Sequence, residues 1–215
     1  MQRLRIVFAK GAEVKYISHL DLVRVWERAL RRANVSLAYS QGFNPRPKLF
    51  FASALPVGFT SRAEMVDIIL QCRMEPRNFA ARLKRQLPPG LQLASVAEVS
   101  TTLPSLPAQV VAAEYEVCVE SQDAPDEMQA RLNNLLAAES IPRRRERPNG
   151  ARVYDLRPLI KELKVIRRQG SMYFIGMRLQ ANEQGTGRPD EVMSVLGMAE
   201  AVRGIERVQL LCLPS

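Results

Sequence analysis

Histidine and cysteine are scarce in this chain, and their scarcity excludes most metal-centred chemistry. The 215 residues contain one histidine, His19, and three cysteines, Cys72, Cys118 and Cys212. The cysteines lie far apart in hydrophobic runs, so they lack the close spacing by which thiolates hold zinc or an iron–sulfur cluster. We therefore expect buried structural thiols and no metal site.

Long hydrophobic runs and cofactor motifs are also missing. No apolar run reaches the roughly 18 residues that cross a bilayer, and the N-terminal MQRLRIVFAKG is too short and too charged for a signal peptide. There is no P-loop, no G-x-G-x-x-G and no Ser-His-Asp order. We therefore predict a cytoplasmic protein that binds no membrane and holds no cofactor of its own.

Basic residues are abundant and unevenly distributed. The net charge is +9. Residues 1–60 and residues 141–168 each carry ten Lys or Arg against three Asp or Glu, so each segment has a net charge of +7. The rest of the chain is therefore mildly acidic. Two basic segments on such a body favour RNA or another phosphate-rich or acidic partner.

One stretch, 16–59, combines an amphipathic helix with a loop rich in glycine and proline. Ser18 and Asp21 have the spacing of a capping box, and apolar residues then recur at helical spacing, which predicts a helix over 18–33. The loop that follows, 40–48, reads SQGFNPRPK; its glycine permits a turn and its prolines stiffen the chain.

Four polar side chains of this loop suit an anion, above all phosphate: Gln41, Asn44, Arg46 and Lys48. We expect them to form one anion site with the neighbouring segment, including Tyr16, His19 and Arg24. A stiff connection between two strands, with no ligand, is the alternative interpretation of the same loop.

Two neighbouring runs resemble the radical-SAM-associated family of bacterial proteins, also catalogued as domain of unknown function 2344: YISHLDLVRVWERALRRA and AYSQGFNPRPKLFFASALPVG. Two further blocks resemble later parts of the same family: RVYDLRPLIKEL at 152–163 and GRPDEVMSVLG at 187–197. In this family the domain occurs alone or joined to the C-terminal side of a radical SAM enzyme. The resemblance therefore implies a radical SAM enzyme as partner, and it implies no settled activity.

Periodicity and turn residues predict an α+β fold of two tandem ferredoxin-like units. The first has the order β-α-β-β-α-β: 3–9, 18–33, 49–55, 64–73, 76–86 and 91–99. Residues 100–110 have the composition of a linker, which separates a domain over 1–100 from a domain over 111–215.

The second half repeats this order less regularly, with an added hairpin. Its predicted elements are a strand over 114–120, a helix over 125–137, extended pieces over 141–147 and 152–155 about a Pro-Asn-Gly turn, a helical turn over 158–163, a hairpin of 165–168 with 172–180, a helix over 189–197 and a strand over 205–213.

Three arginines of the second basic segment alternate along a predicted strand and so share one face: Arg143, Arg145 and Arg147. At steps of about 6–7 Å they can follow a phosphate backbone. The alternative is an edge strand guarded by charge. Few aromatic residues interleave with these arginines, so they give little support to base stacking.

His19 is the one candidate for acid–base catalysis near neutral pH. A structural role at the start of its helix is the alternative, and we expect no catalysis by this chain alone. The leading hypothesis is a non-catalytic RNA-binding or substrate-presenting accessory protein of a radical SAM enzyme. The first alternative is a metal-independent endoribonuclease that uses His19; it is similar in outline to CRISPR repeat-processing nucleases but lacks their C-terminal Gly-rich loop. The second alternative is an adaptor whose basic patch meets an acidic protein.

Overall fold

The structure is a computed structural model, and it describes residues 1–145, 150 and 152–213. The fold is α+β, with mostly antiparallel strands and few helices, which confirms the predicted class. The chain divides into two compact units: the first comprises residues 1–110 with Cys212 and Leu213, and the second comprises residues 111–211. Within the described ranges, none of the helices has the length and apolar character needed to cross a bilayer.

The first unit follows the predicted order of elements. Its elements are β1 (Gln2–Lys10), a 3-10 turn (Ala12–Val14), α1 (His19–Arg32), β2 (Leu49–Phe51), β3 (Thr60–Leu70), α2 (Pro76–Lys84), β4 (Leu91–Val99) and α3 (Leu106–Gln109). The strands pair antiparallel in the order β2-β3-β1-β4. Strand β2 therefore forms one edge of the sheet, and the loop 40–48 leads directly into it.

Helix α1 begins where its capping residues place it. The Asp21 backbone N–H donates to Ser18 Oγ at 3.2 Å, and the Ser18 hydroxyl donates to the Asp21 carboxylate at 2.7 Å. Trp26, on the apolar face of the helix, is fully buried, and its ring centroid lies 4.7 Å from that of Phe8. Helices α1 and α2 pack against the sheet face that carries Leu4, Ile6 and Phe8 of β1.

The opposite face of this sheet holds a buried ion cluster. Asp67, on β3, has no solvent exposure. Its carboxylate accepts hydrogen bonds from Arg3 Nε at 2.8 Å and from Arg5 Nε at 2.9 Å, both on β1. Successive side chains of a strand alternate between the two faces of a sheet, so these odd-numbered arginines point away from the helices.

The segment 100–110, predicted as a linker, packs against the first unit instead. The Arg3 guanidinium donates to the carbonyls of Leu103 and Pro104, at 2.8 and 2.9 Å. The segment continues into helix α3, whose first residue, Leu106, is fully buried. Residues 100–110 thus belong to the first compact unit, where Arg3 and Arg5, about 100 residues earlier in the chain, supply hydrogen-bond donors to this segment.

The second unit contains a separate hairpin. Its elements are β5 (Val110–Glu120), α4 (Pro125–Ala137), β6 (Pro142–Arg145), β7 (Arg152–Asp155), a 3-10 turn (Arg157–Leu159), β8 (Ile160–Gln169), β9 (Met172–Asn182), β10 (Gly185–Thr186), α5 (Pro189–Val195), a 3-10 turn (Ala199–Ala201) and β11 (Val202–Cys212). The main strands have the order β8-β9-β5-β11, with β10 also beside β9. Strands β6 and β7 pair with each other as a two-stranded sheet.

The stretch predicted as a helical turn over 158–163 is mostly strand. The turn ends at Leu159, and β8 begins at Ile160, which pairs with Leu179 of β9. Ile160 and Leu163 are both buried. Pairing with β9 satisfies the backbone groups and buries these side chains, and this tertiary gain outweighs the local tendency of the proline-led segment to turn.

The expectation of buried thiols is corrected for one cysteine. Cys72 lies just beyond the end of β3 and is exposed, whereas Cys118 and Cys212 are half-buried. Burial raises the pKa of Cys118 and of Cys212 above the ordinary thiol value. Both thiols therefore form less thiolate at neutral pH than an ordinary exposed cysteine does.

Candidate functional site

The loop 40–48 is closed at its base and open at its tip. The Ser40 backbone N–H donates to the Arg46 carbonyl at 2.9 Å, and the Arg46 N–H donates to Ser40 Oγ at 3.0 Å. All side chains from Gln41 to Arg46 are exposed, and Asn44 is among them. Within the described residues, the Arg46 guanidinium has no ion pair. The loop thus presents an unneutralised cation on a rigid base.

Phe43 stands at the tip of this loop and is fully exposed, with a relative accessibility of 106%. The sequence analysis missed it as a functional residue. Its signal was an aromatic residue placed between Gly42 and Asn44, in a loop whose other members are all polar, glycine or proline. A large apolar side chain that no part of its own loop covers is typical of a contact surface.

A second group of predicted residues lies at the start of α1. Tyr16 is exposed (72%), and the Lys15 ammonium lies 5.0 Å from its ring centroid. Arg24 pairs with Asp21 at 3.0 Å on the helix surface. The Ser18 hydroxyl and the Arg24 guanidinium hold the pKa of Asp21 below its ordinary value. Arg24 is therefore already partly neutralised, whereas Tyr16 offers an open aromatic face.

His19 packs against the side of the sheet that the helices cover. Its ring lies edge-on to Phe51, with centroids 5.4 Å apart, and Phe51 in turn packs against the helix-covered core. The half-buried imidazole thus forms part of the aromatic cluster around Trp26.

Lys48 lies just before the first residue of β2 and on the side of Phe50. It lines a cavity of about 550 Å³ with Phe50, Arg3 and the 100–110 segment. Phe50 and Phe51 are successive residues of β2 and point to opposite faces. The prediction that Lys48 shares one anion site with His19 is therefore corrected, because β2 separates them. The cavity also adds Phe50, 42% exposed, as an aromatic residue that the sequence analysis missed.

Two arginines of the second basic segment contact helix α5. Arg143 and Arg145 do share one face of β6, but Arg143 donates to Ser194 Oγ at 3.1 Å and Arg145 pairs with Glu191 at 2.9 Å. Arg147 lies outside the described residues. The idea that this strand presents a row of free cations is thus corrected for Arg145, whose charge is neutralised by a carboxylate of the same unit.

Tyr154 and Arg145 line a cavity of about 380 Å³ in the second unit. The Tyr154 hydroxyl donates a short hydrogen bond to Glu191, and the Arg145 guanidinium lies 5.0 Å from the Tyr154 ring centroid. Burial, together with the neighbouring Glu191 carboxylate, raises the pKa of Tyr154. The lining is rich in amides and hydroxyls but carries no unpaired cation among the described residues.

The raised pKa of Tyr154 predicts a pH dependence for the second unit. Because the folded-state pKa lies above the unfolded value of about 10, the hydroxyl–carboxylate contact stabilises the unit below that pH, and the stabilisation is lost as pH rises through the raised pKa. In a tyrosinate absorbance titration, with Tyr154→Phe for assignment, we expect Glu191→Gln to lower the pKa of Tyr154. The exposed Glu200→Gln is the control. A Tyr154 titration that Glu191→Gln leaves unmoved would contradict this.

Among the residues that the structure describes, no group of His, Cys, Asp and Glu side chains could hold a metal ion. A search of curated proteins finds no relative. Two solved structures are similar in backbone. The first is an archaeal box H/ACA sRNP Nop10–Cbf5 complex, with a TM-score of 0.47 and 8% sequence identity; the alignment covers 96% of this chain and 46% of that chain. The second is a Cbf5–Nop10–Gar1 complex, with a TM-score of 0.49 and 10% sequence identity; the alignment covers 97% of this chain and 48% of that chain.

The chain therefore spans a little less than half the length of these solved chains, and at these scores the likeness carries no functional argument. A family model is more informative. The model described as an uncharacterized protein conserved in bacteria, DUF2344, matches residues 3–189. Because this match covers most of the sequence, the protein belongs to the DUF2344 family.

Proposed function

We propose that this protein binds single-stranded RNA through exposed aromatic and basic side chains of its first unit, without catalysis by this chain alone. The observation that carries the proposal is the full exposure of Phe43 on a closed loop that also carries Arg46, whose guanidinium forms no ion pair with a described residue. Aromatic rings stack on bases, and guanidinium groups bind the intervening phosphates.

Two further aromatic residues of the first unit support the same chemistry. Tyr16 is exposed beside Lys15, and Phe50 is partly exposed in the cavity that Lys48 also lines. An exposed ring next to a cation is the arrangement that single-strand binding surfaces use. Since residues 1–60 carry a net charge of +7, an anionic ligand is favoured over a neutral peptide.

We infer that the RNA, or an RNA-linked substrate, is presented to a radical SAM enzyme, as the family resemblance of the first block implies. We also infer that both units are ferredoxin-like. The orders β2-β3-β1-β4 and β8-β9-β5-β11 support this, because each unit interleaves two strand–helix–strand halves in the same way. The hairpin β6–β7 is then the insertion that distinguishes the second unit.

A salt titration tests the binding mode. Neutralised phosphates release counterions, so six Lys/Arg contacts would make the slope of log affinity against log salt about −4 to −5 for single-stranded RNA. We expect Arg46→Ala with Lys48→Ala to make the slope shallower by about one to one and a half. Arg143→Ala with Arg145→Ala, the matched pair, should have a smaller effect, because Arg145 is already paired with Glu191.

The same assay separates the alternatives. Affinity that does not depend on salt, or no affinity for RNA at low ionic strength, would remove the RNA-binding proposal and favour an adaptor for an acidic protein. Cleavage of the bound oligonucleotide that is lost in His19→Ala would favour the endoribonuclease. For a non-catalytic protein, His19→Ala should leave the slope unchanged, since the His19 ring packs against Phe51 and lies outside the loop 40–48.

A further inference from the structure

Three arginines of the first unit converge on one cavity far along α1 from His19. The cavity has a volume of about 340 Å³ and lies where the C-terminal ends of α1 and α2 meet. Its lining comprises Arg32, Ala33, Asn34, Arg82, Arg85 and Gln86. No carboxylate among the described residues lines it. None of the three arginines forms an ion pair with a residue that the structure describes.

Two of these guanidinium groups are held in position by neutral acceptors. Arg32 Nη2 donates to the Gln86 carbonyl at 2.7 Å, and Arg32 Nε donates to Gln86 Oε1 at 3.3 Å. Arg85 Nε donates to the Ala81 carbonyl at 3.3 Å. Each of these contacts leaves part of the guanidinium free to donate further hydrogen bonds. Arg82 is the third arginine of the cluster, and its side chain makes no hydrogen bond to a described residue.

Capping of α1 does not account for this cluster. The last carbonyls of α1 already accept backbone donors: the N–H groups of Ala33, Asn34 and Val35 bond to them at 2.9, 3.1 and 3.2 Å. Asn34 follows the helix with a positive φ of 52° and also lines the cavity. Three like charges thus converge on one concavity whose described lining has no carboxylate to offset their repulsion.

We propose that this arginine pocket, Arg32, Arg82 and Arg85, binds a phosphate-bearing anion. Guanidinium groups present paired N–H donors that match phosphate oxygens, and several of them together favour a multiply charged ligand over a single carboxylate. The cavity is wider than one phosphate requires, so a pyrophosphate or two successive phosphates of a nucleic acid chain fit its size. The site is distinct from the loop 40–48 and does not depend on the function proposed for that loop.

Calorimetric titration with inorganic pyrophosphate at low ionic strength tests the pocket. We expect the wild-type protein to bind and Arg82→Ala with Arg85→Ala to raise the Kd at least about tenfold, as loss of charged hydrogen bonds implies. Arg77→Ala with Lys84→Ala is the matched control, because it removes the same charge from the exposed surface of α2 outside the pocket. Its Kd should change by less than about threefold.

A charge-conserving variant separates specific recognition from charge alone. Arg82→Lys with Arg85→Lys keeps both charges and loses the paired donors, so its Kd should lie between those of the wild type and the alanine variant. Equal losses in the alanine pair and in the matched control would overturn the proposal, as would absence of pyrophosphate binding by the wild type. Emission from Trp26, buried in this unit, verifies that each variant is folded.

Competition with a single-stranded RNA oligonucleotide identifies the source of the phosphate. If pyrophosphate displaces the oligonucleotide and Arg82→Ala with Arg85→Ala weakens RNA binding, the pocket holds nucleic acid phosphates. If RNA binding is unchanged while pyrophosphate binding is lost, the ligand is a free phosphate anion. Both results retain the phosphate site, and neither depends on Phe43 or Arg46.

Discussion

Replacing Asp67 with alanine is expected to lower the free energy of unfolding of the first unit by about 3–5 kcal/mol. The Asp67 carboxylate is inaccessible to solvent and accepts hydrogen bonds from both Arg3 and Arg5. The arginine side chains are themselves only 7% and 17% exposed. Removing the one carboxylate leaves two charges in a poorly hydrated place without their counter-ion, which costs far more than an exposed ion pair contributes.

Urea unfolding, followed by the emission of Trp26, measures this loss in the correct unit, because Trp26 is the only tryptophan and is buried there. The control is Asp126→Ala, an exposed carboxylate in the first turn of α4 in the second unit, which should change this transition by less than about 0.5 kcal/mol. A loss below about 1 kcal/mol in Asp67→Ala would contradict the buried ion cluster.

The same substitution should also loosen the segment 100–110. Arg3 donates to the carbonyls of Leu103 and Pro104, and Arg5 Nη1 donates to Gln109 Oε1 at 3.1 Å. Without Asp67 to orient them, these guanidinium groups no longer hold the segment. We therefore expect limited proteolysis to cleave within it faster in Asp67→Ala than in the wild type, and at the wild-type rate in Asp126→Ala.

Replacing Phe43 with alanine is expected to weaken binding of a single-stranded RNA oligonucleotide by about 5- to 150-fold, because one base–aromatic stack contributes about 1–3 kcal/mol. The free energy of unfolding should not change, since the ring is fully exposed and no core packing is lost. Fluorescence anisotropy with a labelled oligonucleotide measures the affinity, and urea unfolding measures the stability.

Three further variants identify the nature of the contact. Phe43→Tyr keeps an aromatic ring and should retain affinity, whereas Phe43→Leu keeps the apolar surface but cannot stack and should lose it. Val153→Ala removes an apolar side chain that is 71% exposed in the second unit and should have no effect. If Phe43→Leu binds RNA as well as the wild type, stacking is excluded and Phe43 is a hydrophobic contact for another kind of partner.

Local chemistry was enough to predict most of the elements. Strand 91–99 and helix 125–137 occur with the predicted bounds, and α1 begins at the predicted cap, Ser18. These elements depend on side-chain periodicity and on capping and proline residues within a few positions of their ends. Prediction failed at 158–163, where the deciding partner, β9, lies more than ten residues further along the chain.

The sequence by itself also determined that the protein is basic and that one loop combines cations, prolines and an aromatic residue. Only the tertiary structure decided which cations are free. Arg46 has no ion pair with a described residue, whereas Arg145 meets Glu191, 46 residues away. Likewise, Lys48 and His19 are separated by a strand, and the pocket that joins Arg32 to Arg82 and Arg85 exists because two helices end at the same place. Charge is a property of composition, but its neutralisation depends on distance through space, which a linear pattern does not contain.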